Sequence, residues 1–242
     1  MSKKHKRHGQ QGQHEHHENK QHDDSEWKEE DEIREMPRIE EEKPKEVIDT
    51  KLEGEKIIVF NKMDQIYEPG FYGKELGDRL ELSLVEACLL LKRGRIKVFK
   101  DEKVESQNNS TDIADKINFI HNEKEMSFQE LYEHACSIDQ RFPHKYRVYE
   151  DLRERGLVVR TGFKFGCDYR VYERGVQLKK GPKSAKEHTK WIVFAVSEDF
   201  TMSFAELSRA VRLAHNIRAK MLWAVVDNEA DATYYAITRH KP

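Results

Sequence analysis

The chain has 242 residues, of which 37% are hydrophobic and 36% are Asp, Glu, Lys or Arg, and its formal net charge is −2. A chain of this length can bury one large core or two small ones, but so low an apolar share leaves part of it outside any core. The near-neutral balance excludes binding of nucleic acid by bulk charge, so such a partner has to be held by local basic patches.

Cys88, Cys136 and Cys167 show no CxxC spacing, which argues against a disulfide framework and a structural zinc site and favours a reducing compartment. No apolar run approaches the length of a membrane span, and the N-terminus has no apolar signal core, so the expectation is a cytoplasmic protein with no membrane partner.

Residues 1–53 open with "MSKKHKRHGQQGQHEHHENKQH" and pass into the acidic "DDSEWKEEDEIREMPRIEEE". Without aliphatic periodicity such a segment cannot offset its own ordering entropy, and a disordered tail is expected. Its histidines are irregularly spaced and close no coordination shell, so neither a metal nor a cofactor is assigned.

Residues 54–140 read as a small N-terminal α/β domain. In "EKIIVFNKMDQIYEPGFYGK" the apolar residues alternate between Pro and Gly punctuation, which predicts short strands or a hairpin. "LSLVEACLLLKRGRIKVF" supplies a capping box in Ser83 and Glu86, an apolar helix, Gly94 as its stop and a strand. "DEKVESQNNSTD" reads as an exposed loop, and Ser127 with Glu130 caps a second helix, "MSFQELYEHACSID".

Pro143 marks a break, after which residues 141–242 read as a second domain. "HKYRVYEDLRERG" is an amphipathic helix closed by Gly156, and "LVVRTGFKFGCDYRVYERG" gives two strands around a turn. "TKWIVFAV" is apolar enough for a central buried strand. Ser203 and Glu206 cap a helix over "SFAELSRAVRLAHNIRAK", and "MLWAVVD" and "ATYYAITRH" are strands. The fold class is α/β (α+β), with a mixed or antiparallel sheet flanked by helices in the second domain.

Three features of that domain carry chemistry. Tyr172 lies near the end of one strand, and His188 stands just before the buried strand, where a loop meets a rigid scaffold. Taken singly, each is as well explained by packing. On the third helix Phe204, Leu207, Val211 and Ala214 mark an apolar side, while Arg209, Arg212, Asn216 and Lys220 form a cationic stripe opposite. Such a stripe is either a solvated face or a phosphate contact, and the lysines of "QLKKGPKSAKEH", Lys183 and Lys186 among them, favour the second.

Together, Tyr, His and Lys are able to cleave RNA without a metal. A base takes the proton of a ribose 2'-hydroxyl, an acid protonates the leaving 5'-oxygen, and a cation stabilises charge on the phosphate. Histidine as a residue type ordinarily titrates near 6.5, which suits an acid, whereas tyrosine's value of about 10 makes it a base only when cations lower it.

The chain resembles the archaeal-type tRNA-intron (tRNA-splicing) endonucleases from about "LSLVEACLLLKRGRIKV" to its end, most specifically in "VYEDLRERGLVVRTGFKFGCDYRVYERG", "EHTKWIVFAV" and "AVRLAHNIRAKMLWAVVDNEADATYYAITRHKP". The resemblance implies a metal-independent endoribonuclease that excises introns from precursor tRNA at bulge-helix-bulge junctions. It would leave 2',3'-cyclic phosphate and 5'-hydroxyl ends.

It also implies that Tyr172 is the base and His188 the acid, with Arg212 and Arg239 as contacts to a flipped-out base. The family's lysine falls on Ala219, so the role passes to Lys220 one position later or to a loop lysine such as Lys186. Asp227, Glu229 and Asp231 of "VDNEAD" match an acidic loop that enters a partner subunit, which implies a homotetramer, or a heterotetramer with a second endonuclease subunit.

Two alternatives stand beside this. One is a non-catalytic structural subunit of a heterotetrameric enzyme, favoured by Ala219. The other is a winged-helix nucleic-acid-binding regulator, with "YRVYEDLRERG" as recognition helix and the following strands as wing.

Overall fold

The structure, a computed structural model, describes residues 33, 36–38, 46–101, 123–176, 178 and 188–240. Expectations for the rest of the N-terminal segment, for "EKVESQNNSTD" and for Lys183 and Lys186 lie outside the described residues. Within these bounds the chain is a mixed α/β protein with two sheets and five α-helices.

The first sheet has the order β3-β4-β2-β1-β5-β6. Its strands are β1 (Ile48–Glu53), β2 (Lys56–Val59), β3 (Lys74–Leu76), β4 (Arg79–Ser83), β5 (Ile96–Asp101) and β6 (Glu123–Met126). All neighbours pair antiparallel except β1 and β5, which run parallel. β1 falls inside the segment read as tail through residue 53, yet it lies in the interior of the sheet and buries Ile48, Thr50 and Leu52 on alternate positions. Ile33 also enters the main core.

The stretch read as strands or a hairpin contains β2 and reaches the first residue of β3, but between them runs α1 (Met63–Gly70), entered from Lys62 and left through Phe71, both in the left-handed region. α2 (Leu84–Lys92) is buried from Leu84 to Leu90, as its nearly unbroken apolar sequence dictates. It packs on the sheet from one side and on α3 (Phe128–Ile138) and α4 (Phe142–Glu154) from the other.

All three capping boxes are formed. The carboxylate of Glu86 accepts from Ser83 N at 2.9 Å and Ser83 Oγ at 2.7 Å, and Glu130 and Glu206 do the same at Ser127 and Ser203. Pro143, read as a break, falls at the start of α4 and not in a linker. It sits in the first turn of α4, where its missing N–H costs no helical hydrogen bond.

The second sheet has the order β11-β10-β9-β8-β7. Its strands are β7 (Val158–Thr161), β8 (Tyr169–Tyr172), β9 (Trp191–Ser197), β10 (Lys220–Val226) and β11 (Ala232–Ile237), with a 3-10 turn, Phe163–Phe165, between β7 and β8. β9 is central, as its apolar sequence predicts, and pairs parallel with β10 across the helix α5 (Phe204–Asn216). Strand alternation splits the sheet's side chains between two cores. Trp191, Val193, Ala195, Leu222 and Ala224 join the main core with α2 and α4, while Ile192, Val196, Met221 and Trp223 pack under Ala210, Val211 and Ala214 of α5.

α4 therefore lies between the second sheet and the helices α2 and α3, and its Phe142, Tyr146, Val148, Tyr149 and Leu152 are buried. A helix covered in this way cannot enter a DNA groove, which removes the winged-helix reading. Phe204 corrects a second expectation: it is 88% exposed, and the buried side of α5 begins at Leu207.

Candidate active site

The register of the second sheet gathers most of the singled-out residues at one end. Tyr172 is the last residue of β8 and lies opposite Val158. One step earlier Val171 faces Trp191, the first residue of β9, and the Lys190 N–H donates to the Val171 carbonyl at 2.9 Å. His188 stands three residues before Trp191 and is exposed.

Lys220 opens β10 opposite Trp191, and its N–H donates to the Lys190 carbonyl at 2.8 Å. β11 runs back toward this same end, pairing Ile237 with Met221, so Arg239 leaves the sheet beside the start of β10. α5 ends here as well. Arg212, exposed and one turn before Asn216, donates from Nε to the Ser208 carbonyl at 3.2 Å.

Lys220 is not on the helix. α5 stops at Asn216, Arg218 turns the chain with φ 57°, and Lys220 enters the strand, so the stripe of Arg209, Arg212 and Asn216 does not continue to it. Its strand position shares a face with Trp191, on the α4 side, whereas Ala219 packs against the α5-side cluster.

Tyr172 is only 2% exposed. Its ring belongs to a small apolar cluster with Val158 and Val176, against which Phe71 and Leu178 also pack. Lys190 was missed by sequence reasoning. Its Nζ lies 2.5 Å from Oε1 of Glu173, the residue that follows Tyr172 in the chain, and 4.7 Å from the centroid of the Trp191 ring. The signal was its place in "EHTKW", between the histidine and the strand.

The acidic residues lie at the other end of the sheet, in the turn between β10 and β11. Asp227 shapes that turn by accepting the N–H groups of Glu229 at 3.0 Å and Asp231 at 2.9 Å. Asp231 is 3.6 Å from Arg147 of α4, and Glu229 is exposed. All three are thus remote from Tyr172; Glu229 and Asp231 are exposed, and Asp227 is half-buried beneath them. Among the described residues no group of three or more His, Cys, Asp and Glu is arranged to hold a metal ion.

Two mixed sheets with their helices, the second sheet collecting tyrosine, histidine, lysines and arginines at one end, define the class: a mixed α/β protein with a polar, cation-rich sheet end. Residues 142–234 match the family model of the tRNA intron endonuclease catalytic C-terminal domain, and residues 48–109 match that of its N-terminal domain. The chain is 35% identical over 195 residues to the tRNA-splicing endonuclease of Thermococcus onnurineus, which covers 80% of this chain and 96% of that one.

It is 34% identical over 161 residues to the tRNA-splicing endonuclease of Nanoarchaeum equitans, covering 66% and 91%. With the enzyme of the same name from Methanosarcina barkeri it shares 39% over 179 residues, 74% of this chain but 44% of that one. The chain belongs to the tRNA intron endonuclease family.

Proposed function

We propose that this chain is the catalytic subunit of a tRNA-splicing endonuclease that cuts precursor tRNA at bulge-helix-bulge junctions by metal-independent transesterification. The observation that carries the reading is the register just described, which brings the end of β8, the approach to β9 and the start of β10 together. Tyr172 takes the proton of the 2'-hydroxyl, and the 2'-oxygen attacks the adjacent phosphorus. As the bond from phosphorus to the 5'-oxygen breaks, His188 protonates that oxygen, leaving a 2',3'-cyclic phosphate and a 5'-hydroxyl.

Lys220 supplies positive charge to the phosphate in the transition state. Arg212 and Arg239, at the same end of the sheet, stack on and hold the displaced base, and Lys183 and Lys186 contact the backbone. Asp227 to Asp231 dock in another subunit. The exposure of Glu229 and Asp231, away from Tyr172, supports an assembly of four subunits in which two sites address the two bulges. A cytoplasmic setting suits the three unpaired thiols.

The test is single-turnover cleavage of a bulge-helix-bulge RNA in EDTA by the chain alone. Tyr172→Phe and His188→Ala should each lower the rate by about 10²- to 10⁴-fold with RNA affinity retained, and Lys220→Ala should follow them. Full rate in both of the first two variants would refute the mechanism. No cleavage by the parent would favour a structural subunit, and a loss confined to Lys190→Ala would move the cation's role there.

A further inference from the structure

The turn that links α1 to β3, residues 70–73, belongs to the first sheet's half of the chain, where Arg93 donates to Tyr72 Oη at 3.1 Å, but it is tied to the second half as well. Arg153 of α4 donates from Nη1 to the Gly70 carbonyl at 2.8 Å and lies 4.0 Å from the centroid of the Tyr72 ring. Arg160 of β7 donates from Nη1 to the carbonyls of both Phe71 and Gly73. From its own side, the Gly73 N–H donates to Glu86 Oε1 at 2.9 Å, the same carboxylate that caps α2.

No side chain other than hydrogen fits at either end of this turn. A Cβ at Gly70 would lie 2.4 Å from the Tyr72 ring, and one at Gly73 would lie 2.8 Å from the Glu81 carbonyl oxygen. Between them stands Phe71 with φ 54°, closing α1 by donating its N–H to the Tyr67 carbonyl at 2.6 Å. A residue closing a helix in the left-handed region is usually Gly or Asn, because a β-carbon there costs about 1–2 kcal/mol. The turn carries that cost in a bulky residue, so the ring itself has a use. It packs on the cluster formed by Val158, Tyr172 and Val176.

From these contacts we infer that Phe71 is a positioning residue for Tyr172, delivered across the boundary between the two sheets by Arg160. β8 ends at Tyr172, so no ladder partner follows to fix the ring; its neighbours are Val158 across the ladder, Val176 and Leu178 just after it in the chain, and Phe71. Phe71 closes the cluster and restricts where the phenol oxygen rests before it takes the 2'-hydroxyl proton. The first sheet's half thereby takes part in catalysis through packing. This rests on Tyr172 being the base.

The experiment measures single-turnover cleavage of bulge-helix-bulge RNA at saturating enzyme, with RNA Kd measured separately, for the parent, Phe71→Ala, Phe71→Leu, Tyr172→Phe and the Phe71→Ala/Tyr172→Phe pair. Phe71→Ala should lower the plateau rate about 10- to 100-fold, as misplacement of a reacting group does, with Kd unchanged. Phe71→Leu should recover most of the rate.

In the Tyr172→Phe background, Phe71→Ala should have no further effect, because the group it positions is gone. A parental plateau rate in Phe71→Ala, or an equal loss in both backgrounds, overturns the inference. If the Ala variant does not fold, Arg160→Met and Phe71→Leu carry the comparison, and Arg160→Met should reproduce the loss of rate. A parental rate in Tyr172→Phe would instead remove the assignment of the base, and this inference with it.

Discussion

Replacing Arg153 by methionine tests how firmly the two sheets are joined. The residue is 3% exposed, and its guanidinium donates to Tyr149 Oη at 3.1 Å, to the Gly70 carbonyl at 2.8 Å and to the Val159 carbonyl at 3.3 Å. Methionine of similar length fills much of the volume but leaves the Gly70 and Val159 carbonyls with no donor from this side chain, at about 1–3 kcal/mol each.

The contact with the Tyr72 ring adds about 2 kcal/mol to the loss in a desolvated setting. Relief of the buried charge works in the opposite direction by an amount comparable to one of these terms. The net expectation is a destabilisation of about 3 kcal/mol, or a fall in Tm of roughly 6–12 °C for a chain of this size. Urea unfolding by far-UV and near-UV circular dichroism, with coincident transitions, measures it. Lysine in the same place should recover little, since an ammonium cannot span the two carbonyls as the planar fork does. A loss under about 1 kcal/mol in Arg153→Met would refute the view that this guanidinium joins the sheets.

Burial pushes the thiols of Cys88 and Cys167 up to about 12, so at pH 8 neither should react with Ellman's reagent in the native protein, while half-buried Cys136 reacts slowly and all three react in urea. Rapid native labelling of Cys88 or Cys167, located by peptide mapping, would contradict their burial. The side-chain hydrogen bond from Lys124, then those from Ser127, hold Glu130 at about 2, below its ordinary value of 4.5. Because the folded value is depressed, its stabilising contribution is complete above pH 4.5 and is lost as pH falls toward 2. Urea midpoints of Glu130→Gln should thus lie below the parent's at pH 7 and converge with them near pH 2, and a gap independent of pH would disprove the linkage.

What the sequence disclosed divides by range. Ser83, Ser127 and Ser203, each with Glu three residues on, marked three helix starts, because a capping box is a contact within one turn. The central place of β9 followed from its unbroken apolar run. β1 carried a readable signal, since Ile48, Thr50 and Leu52 alternate, but the acidic run before it drew the whole segment toward a tail. α1 gave less to read: it has eight residues, includes Pro69 and starts from a lysine in the left-handed region, so neither length nor caps announced a helix.

The order of strands in the second sheet, and with it the gathering of the end of β8 and the starts of β9 and β10 at one end, depends on β9 pairing with β8 and β10 at once. No local pattern encodes that. Phe71 is a further case, because its contact with the Tyr172 cluster joins residues about a hundred positions apart.

The one-residue offset between Ala219 and Lys220 also changes meaning with the fold. On a continuing helix the two side chains would diverge by about 100°. Arg218 ends that possibility by turning left-handed after α5, and the chain extends through Ala219 into the strand that Lys220 opens, so the two side chains fall on opposite faces. Ala219 sits with the α5-side cluster, and Lys220 lines up with Trp191 on the other face. Tyr172, one step past Val171 on β8, takes the face opposite to the one Val171 shares with Trp191.

Ala219 is therefore on Tyr172's side of the sheet and Lys220 is not. Lys220 is nevertheless the first residue of its strand, so no preceding strand residue walls it off from the sheet's end, and a long flexible stem can bring an ammonium around that end to a phosphate bound there. Catalysis through Lys220 thus requires the phosphate to sit at the tip of the sheet, not over its α5 face. His188 and Arg239, both beyond the strand ends, favour that same position.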